Sequence, residues 1–232
     1  MRETLRKIVM AVLMTPAAAT VLPLAAQAQG HDQTPFEKLA GRRAAVVRVA
    51  SARAGGEISE ENYKQFDLGF ALVRAGYFSQ VAVDDEEFNS DAIVELVYLA
   101  DRLEGQPEAA KLEAVLKMVV RGTGTAEQRW DAVGEVVKSY SARQQPGARW
   151  FFDSGVTLTK VSLYSYLEDQ PNLQAELKTL QQLIAKTPQG VPAEVTKPMR
   201  EVAQYAAQQA LTSDDYEKIA ETAGQAMESV LS

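Results

Sequence analysis

The chain has 232 residues, 46% of them hydrophobic and 24% charged, with a net charge of -7. That is ample for a full hydrophobic core, and the balance excludes global disorder. The acidic surplus without a basic footprint argues against nucleic-acid binding and against docking on anionic membranes. The absence of cysteine excludes disulfides, thiol catalysis, thiolate metal sites and lipid attachment at a signal-cleavage cysteine.

Arg2, Arg6 and Lys7 precede an apolar, Ala-rich stretch at 8–24, which Pro16 and Pro23 interrupt. Ala26-Gln27-Ala28 follows, with small residues at the -3 and -1 positions. Residues 1–28 thus read as a bacterial-type secretory signal peptide cut between Ala28 and Gln29. The prolines and the A-x-A ending argue against a retained anchor. The expected location is periplasmic or secreted, with no stable membrane anchor once the signal is removed. Cleavage would take away three basic residues and one acid, moving the net charge from -7 to -9.

Beyond 28 the hydrophobic pattern is helical throughout, and residues 29–232 read as a single all-helical domain. Gln29 to Gln33 is a short polar lead that holds His31. Thr34-Pro35-Phe36-Glu37 is a capping box with Pro at the first helical position, opening a helix over 35–53 with Phe36, Leu39, Ala40, Val46, Val47 and Ala50 inward. Gly55-Gly56 stops it. Ser59 caps a second helix over 60–75, which Gly76 ends; Leu68-Gly69-Phe70 suits close approach to a neighbour. The stretch 77–83 could be a short extended piece, and Asp84-Asp85-Glu86-Glu87 reads as a solvated acidic loop, because it lacks the alternating ligands and mid-loop glycine of a calcium hand. Ser90 caps a helix over 91–103. Gly105-Gln106-Pro107 breaks the chain before a helix over 107–121. Thr125-Ala126-Glu127-Gln128 is a second capping box, and its helix runs to Arg143.

Gln144-Gln145-Pro146-Gly147 is the best candidate for a subdivision, although a tight turn within one domain fits its length better. Then comes the aromatic-rich helix over 148–168, apolar around most of its circumference and therefore expected at the centre of the bundle. A helix follows from Gln170-Pro171 to Lys186. Another runs over 192–211, with Pro198 implying a kink or a late start. Thr212 or Ser213 caps the last. The fold class is all-α, a compact bundle of eight to nine helices packed around 148–168.

Candidate chemistry is sparse. His31, the single histidine, lies in the polar lead, so Ser-His-Asp catalysis and histidine metal sites have no credible residue. There is no G-x-x-x-x-G-K and no G-x-G-x-x-G, and no metal or cofactor is expected. The central helix leaves one narrow polar stripe: Asp153, Thr157, Lys160, Tyr164 and Glu168. A local pairing of Asp153 with Lys160, two turns on, is the plain structural expectation. With Trp150 at its edge, the stripe suits a small amphipathic ligand or a partner helix, so Trp150, Asp153, Lys160 and Tyr164 are the ligand-binding candidates. Asp153 and Glu168 are the carboxylates to consider for glycan cleavage. The first expectation is a non-enzymatic periplasmic or secreted binding or accessory protein, with a protein or small amphipathic partner. The alternatives are a carboxylate-dependent hydrolase or lyase acting on cell-wall glycan, and an inhibitor or immunity-type protein that meets an exported toxin through its acidic surface.

Overall fold

Repeated apolar residues at helical spacing, punctuated by caps and glycine breaks, give eight α-helices in a computed structural model that describes residues 58–84 and 87–231. They are α1 (Glu60–Val81), α2 (Glu87–Arg102), α3 (Pro107–Val120), α4 (Ala126–Arg143), α5 (Pro146–Tyr166), α6 (Gln170–Ala185), α7 (Ala193–Ala203) and α8 (Ser213–Leu231). All of these lie in one compact unit, and the described residues contain no strand. The all-helical bundle expected from the pattern is what forms. The signal segment, Ala28-Gln29, His31 and the helix expected over 35–53 lie outside the described residues.

The aromatic-rich α5 runs through the middle. It packs against α1, α6 and α8 and touches α4. Helix α1 in turn packs against α2 and α4, while α3 bridges α2 and α4, and α7 bridges α6 and α8. Two layers of helices, α1 to α4 and α5 to α8, are thus joined by the α1–α5 contact. Phe66 and Phe70 of α1 meet Phe151, Leu158 and Val161 of α5, Leu173 and Leu177 of α6, and Ile219 and Met227 of α8 in a continuous apolar core.

Close approach of α1 and α5 depends on two glycines. A Cβ on Gly69 would overlap the carbonyl oxygen of Phe152 and lie 3.0 Å from the Val156 nitrogen. A Cβ on Gly155 would overlap the carbonyl oxygen of Phe66 and lie 3.2 Å from the Phe70 nitrogen. Each helix therefore presses its backbone into the gap left by the other's missing side chain.

Several element boundaries depart from the sequence expectation. Gly76 does not end α1; it sits inside the helix, where a Cβ would lie 3.2 Å from the ring of Trp130 on α4. This glycine serves packing, not termination. The extended piece expected over 77–83 is helix as far as Val81 and then turn. Helix α2 begins at Glu87, so Ser90 lies within its first turn and does not cap it. Both expected caps on α1 and α4 form: the Ser59 side chain accepts from the Asn62 N–H, and Thr125 and Gln128 complete a reciprocal capping box.

Helix α5 ends at Tyr166, two residues early. Glu168 adopts φ 51°, with the Glu168 N–H donating to Ser165 O at 3.1 Å and the Asp169 N–H to Tyr164 O at 2.9 Å. This is a Schellman ending with glutamate in the left-handed position that glycine usually fills. Helix α7 starts at Ala193, passes through Pro198 and gives way to a 3-10 turn, Gln204–Ala207, short of the expected end at 211. Three glutamines on α6 take up the carbonyls freed there: Gln181 donates to Ala203 O (3.1 Å), Gln174 to Gln208 O (2.9 Å) and Gln170 to Gln209 O (2.7 Å).

Candidate functional site

The four candidate residues on α5 do not converge. Trp150 is only 4% exposed; its ring meets Phe151 edge-on at 5.0 Å, and its indole N–H donates to Leu183 O at 2.9 Å. It is a core residue whose polar atom is satisfied across the α5–α6 contact. Asp153 turns toward α4, accepting from the Ser141 hydroxyl at 2.7 Å and pairing with Arg149 at 3.5 Å. Lys160 pairs with Glu176 of α6 at 3.1 Å. The expected Asp153–Lys160 pair is therefore replaced by two pairs, each with a nearer partner. Seven residues along a helix is about 10 Å, too far for an ion pair. Tyr164 is half-buried against the core, and burial, with the charges of Glu176 and Asp169, pushes its phenol up to about 12. Thr157 is buried, and Glu168 falls beyond the helix.

A more site-like arrangement lies at the end of the bundle where α1 begins and α2 and α4 finish. A groove of about 500 Å³ opens there between α1 and α2, with Tyr140 of α4 in its wall. Its walls carry Tyr63, Tyr98 and Tyr140, the acids Glu61 and Asp67, the amides Gln65 and Gln106, and Arg102. The placement follows from α1: the run Gln65-Phe66-Asp67-Leu68 buries Phe66 toward α5 and brings Gln65 and Asp67 to the α2 and α4 side.

The polar groups of the groove are held in a fixed network. Arg102 donates to the Asp67 carboxylate and to Lys64 O, each at 2.5 Å. Burial works against its charge, but the hydrogen bond and the attraction of Asp67 outweigh it and raise the guanidinium above its ordinary value. Tyr140 donates to Gln65 Oε1 at 3.0 Å, and Gln65 Nε2 donates to Glu61 at 2.8 Å. Burial raises the Tyr140 phenol. Outside the groove lining, fully buried Glu108 accepts from Ser139 at 2.5 Å and pairs with Arg143, which also reaches the groove residue Gln106 at 3.2 Å. Burial disfavours the Glu108 charge, yet Ser139, the residue's own backbone N–H and Arg143 together hold the carboxyl below its ordinary value.

Chemically, the groove offers fixed donors and acceptors beside aromatic rings. Its one buried carboxylate, Asp67, is paired with Arg102. Among the described residues, no group of three or more His, Asp or Glu could hold a metal ion, and no helix is long and apolar enough to cross a membrane. No family model, curated protein or solved structure matches this chain.

None of the groove residues stood out in the sequence. The one available signal was Gln65 and Asp67, two polar residues inside the most buried part of α1. A polar side chain in an otherwise apolar run needs a partner, and here the partners come from 35 and 75 residues away.

Proposed function

We infer that this chain is an exported, non-enzymatic binding or accessory protein, and that it takes a small amphipathic ligand in the α1–α2–α4 groove. The observation that carries this reading is the groove's wall: three tyrosines and a network of side chains fixed by Arg102–Asp67 and Tyr140–Gln65–Glu61. Preformed polar groups beside aromatic faces orient a ligand without a large ordering cost. Export rests on the basic, apolar and A-x-A pattern of residues 1–28.

The binding reading is preferred to glycan cleavage because of the charge states. A general acid needs a carboxyl raised toward neutrality. Glu108 is shifted the other way, and Asp67 is tied to Arg102. Asp153 is likewise engaged with Ser141 and Arg149. The inhibitor or immunity-type reading draws support from one further observation: residues 58–231 hold 27 of the chain's 31 acids but only 16 of its 24 basic residues. That surplus suits a cationic protein partner.

The test is calorimetric titration of the purified protein with amino-sugar oligomers, muropeptides and short peptides, in the native form and in Gln106→Ala and Tyr98→Ala. Binding that weakens about tenfold or more in both variants supports the groove. Binding unchanged in both sinks it.

A further inference from the structure

On the reading that the α1–α2–α4 groove is the binding site, we propose that its ligand is an uncharged saccharide, laid against the tyrosines and held through its hydroxyls. Charge decides first. The lining holds two acids, Glu61 and Asp67, and two bases, Lys64 and Arg102, so it is neutral overall. Residues 58–231 as a whole carry 27 acids against 16 bases. The acidic surplus that would draw a cation therefore stops at the groove. Asp67 is paired with Arg102 and Lys64 with Glu60, so neither an anion nor a cation finds a waiting counter-charge there. Glu61 is exposed, where a cation gains little. A charged ligand would lose water without recovering it in partners.

The hydrogen-bonding capacity that remains is mixed in sign and fixed in place. Arg143 can only donate, and it donates to Gln106 Oε1 at 3.2 Å. That contact settles which way the amide faces and leaves Nε2 as a donor at the N-cap of α3. In the first turn of α1, one Glu61 oxygen accepts from Gln65 Nε2 at 2.8 Å, and the other remains an acceptor. Tyr140 holds Gln65 from behind at 3.0 Å. A hydroxyl both donates and accepts, so a polyol satisfies the Gln106 amide and the Glu61 carboxylate alike. A carboxylate or an ammonium satisfies one of them and opposes the other.

The apolar part of the wall suits a sugar ring better than a peptide. Arg102 reaches the hydroxyl of Tyr98 at 3.5 Å, which orients a ring that is 47% exposed. A pyranose has polar edges and apolar C–H faces, and the face lies against such a plate. A peptide helix would need a row of apolar anchors, but the only aliphatic residues of the lining, Leu68 and Leu103, are buried. An extended peptide would need a strand edge, and the described residues contain no strand. The volume of about 500 Å³ lies in the range of small-molecule sites and fits a short oligosaccharide.

Calorimetric titration of the full chain at about pH 6 tests this with matched probes. The uncharged probes are the cello-, malto- and N-acetylated chito-trisaccharides. Deacetylated chito-trisaccharide, whose amines are protonated at that pH, is the cation, and trigalacturonate is the anion. An end-capped tripeptide containing tyrosine is the uncharged non-sugar. At least one uncharged trisaccharide should bind at least about tenfold more tightly than either charged probe, and lose about tenfold in Gln106→Ala and in Tyr98→Ala. Unchanged thermal unfolding verifies that the variants are folded. Glu61→Gln takes the lining to a net charge of about +1 and should narrow the disadvantage of trigalacturonate about threefold. No binding of any uncharged trisaccharide, affinity no better than that of the charged probes, or selectivity untouched by Glu61→Gln overturns the proposal. If the tripeptide or a charged probe binds instead and weakens in Gln106→Ala and Tyr98→Ala, the saccharide is wrong and the groove stands. Saccharide binding that both variants leave intact lies elsewhere on the protein and sinks both.

Discussion

Gly69 and Gly155 form a reciprocal pair: each sits where a Cβ would overlap a carbonyl oxygen of the other's helix, Phe152 O in one case and Phe66 O in the other. The obstacle is backbone on both sides, so no flexible side chain can move aside. Gly69→Ala and Gly155→Ala should each lower stability by about 1–3 kcal/mol, despite a helix-propensity gain of up to about 1 kcal/mol. Gly134, in mid-α4 with nothing within 4 Å of an added Cβ, is the matched control. Gly134→Ala should raise stability by about 0.5–1 kcal/mol. Urea denaturation of the three variants checks the contrast, and a stabilised Gly155→Ala would contradict the packing described.

Arg129 is 1% exposed, and among the described residues it makes no ion pair with a carboxylate. Its guanidinium donates instead to three main-chain carbonyls: Thr123 O at 3.0 Å, Ser79 O at 3.2 Å and Met118 O at 3.5 Å. These carbonyls belong to the ends of α1 and α3 and to the loop that follows, so one side chain pins three segments. Burial lowers its pKa from the ordinary value. Arg129→Met should take this donor from Thr123 O and Ser79 O, while Met118 O keeps the Thr123 N–H at 2.9 Å, and should cost on the order of 3 kcal/mol. Arg129→Lys should also destabilise, because a compact ammonium lacks the planar fork that reaches all three. Denaturant midpoints should fall in the order native, Lys, Met.

Glu168 holds a left-handed conformation at φ 51° to complete the Schellman ending of α5. A side chain there costs about 1–2 kcal/mol that glycine avoids. Glu168→Gly should therefore be neutral or stabilising by up to about 1 kcal/mol, an unusual result for a glycine substitution. Loss of more than that on thermal unfolding would mean the glutamate side chain has a role beyond the turn.

How much of this could be read from the sequence follows from what each feature depends on. The caps of α1 and α4 were legible because Ser59 and the Thr125–Gln128 box act within four residues. The end of α1 was not, because Gly76 looks like a stop signal until Trp130, 54 positions away, is seen packed on it. Of the polar stripe expected on α5, Asp153, Lys160 and Tyr164 stay partly exposed, whereas Thr157 is buried and Glu168 lies beyond the helix end. The stripe's meaning changed when α6 supplied Glu176 to Lys160, and α4 supplied Ser141 to Asp153. The groove was invisible for the same reason: Gln65, Arg102 and Tyr140 come from three helices, and only their tertiary arrangement makes them neighbours.

Acid sensitivity should centre on Glu108. Its carboxyl is held below the ordinary glutamate value of 4.5 in the folded chain and returns to that value on unfolding. A depressed folded pKa contributes stability that is complete above the unfolded pKa and is lost as pH falls through the folded one. The contribution should therefore be full at neutral pH and decline progressively below about pH 4.5. Glu108→Gln should destabilise at neutral pH, because Arg143 loses its charged partner, and should flatten the acid limb of the stability profile. Denaturant midpoints from pH 7 down to pH 3 test this; parallel profiles for native and variant would assign the acid limb to other carboxylates.

Alkaline behaviour should be governed by buried phenols. Tyr164 is pushed up to about 12, first by burial and then by the charges of Glu176 and Asp169, and burial also raises Tyr140 and Tyr216. For a phenol the raised folded pKa favours the neutral form. The stability it contributes is complete below the unfolded value near 10 and is lost as pH rises toward 12. Spectrophotometric titration at tyrosinate wavelengths should show a late phase, at high pH or together with unfolding, that contains Tyr164. Tyr164→Phe should remove one equivalent from the late phase. It should also soften the loss of stability above pH 10, because the unfolded chain no longer gains a phenolate that the folded chain refuses. A late phase unchanged by Tyr164→Phe would place the Tyr164 hydroxyl in solvent and contradict its packing against the core.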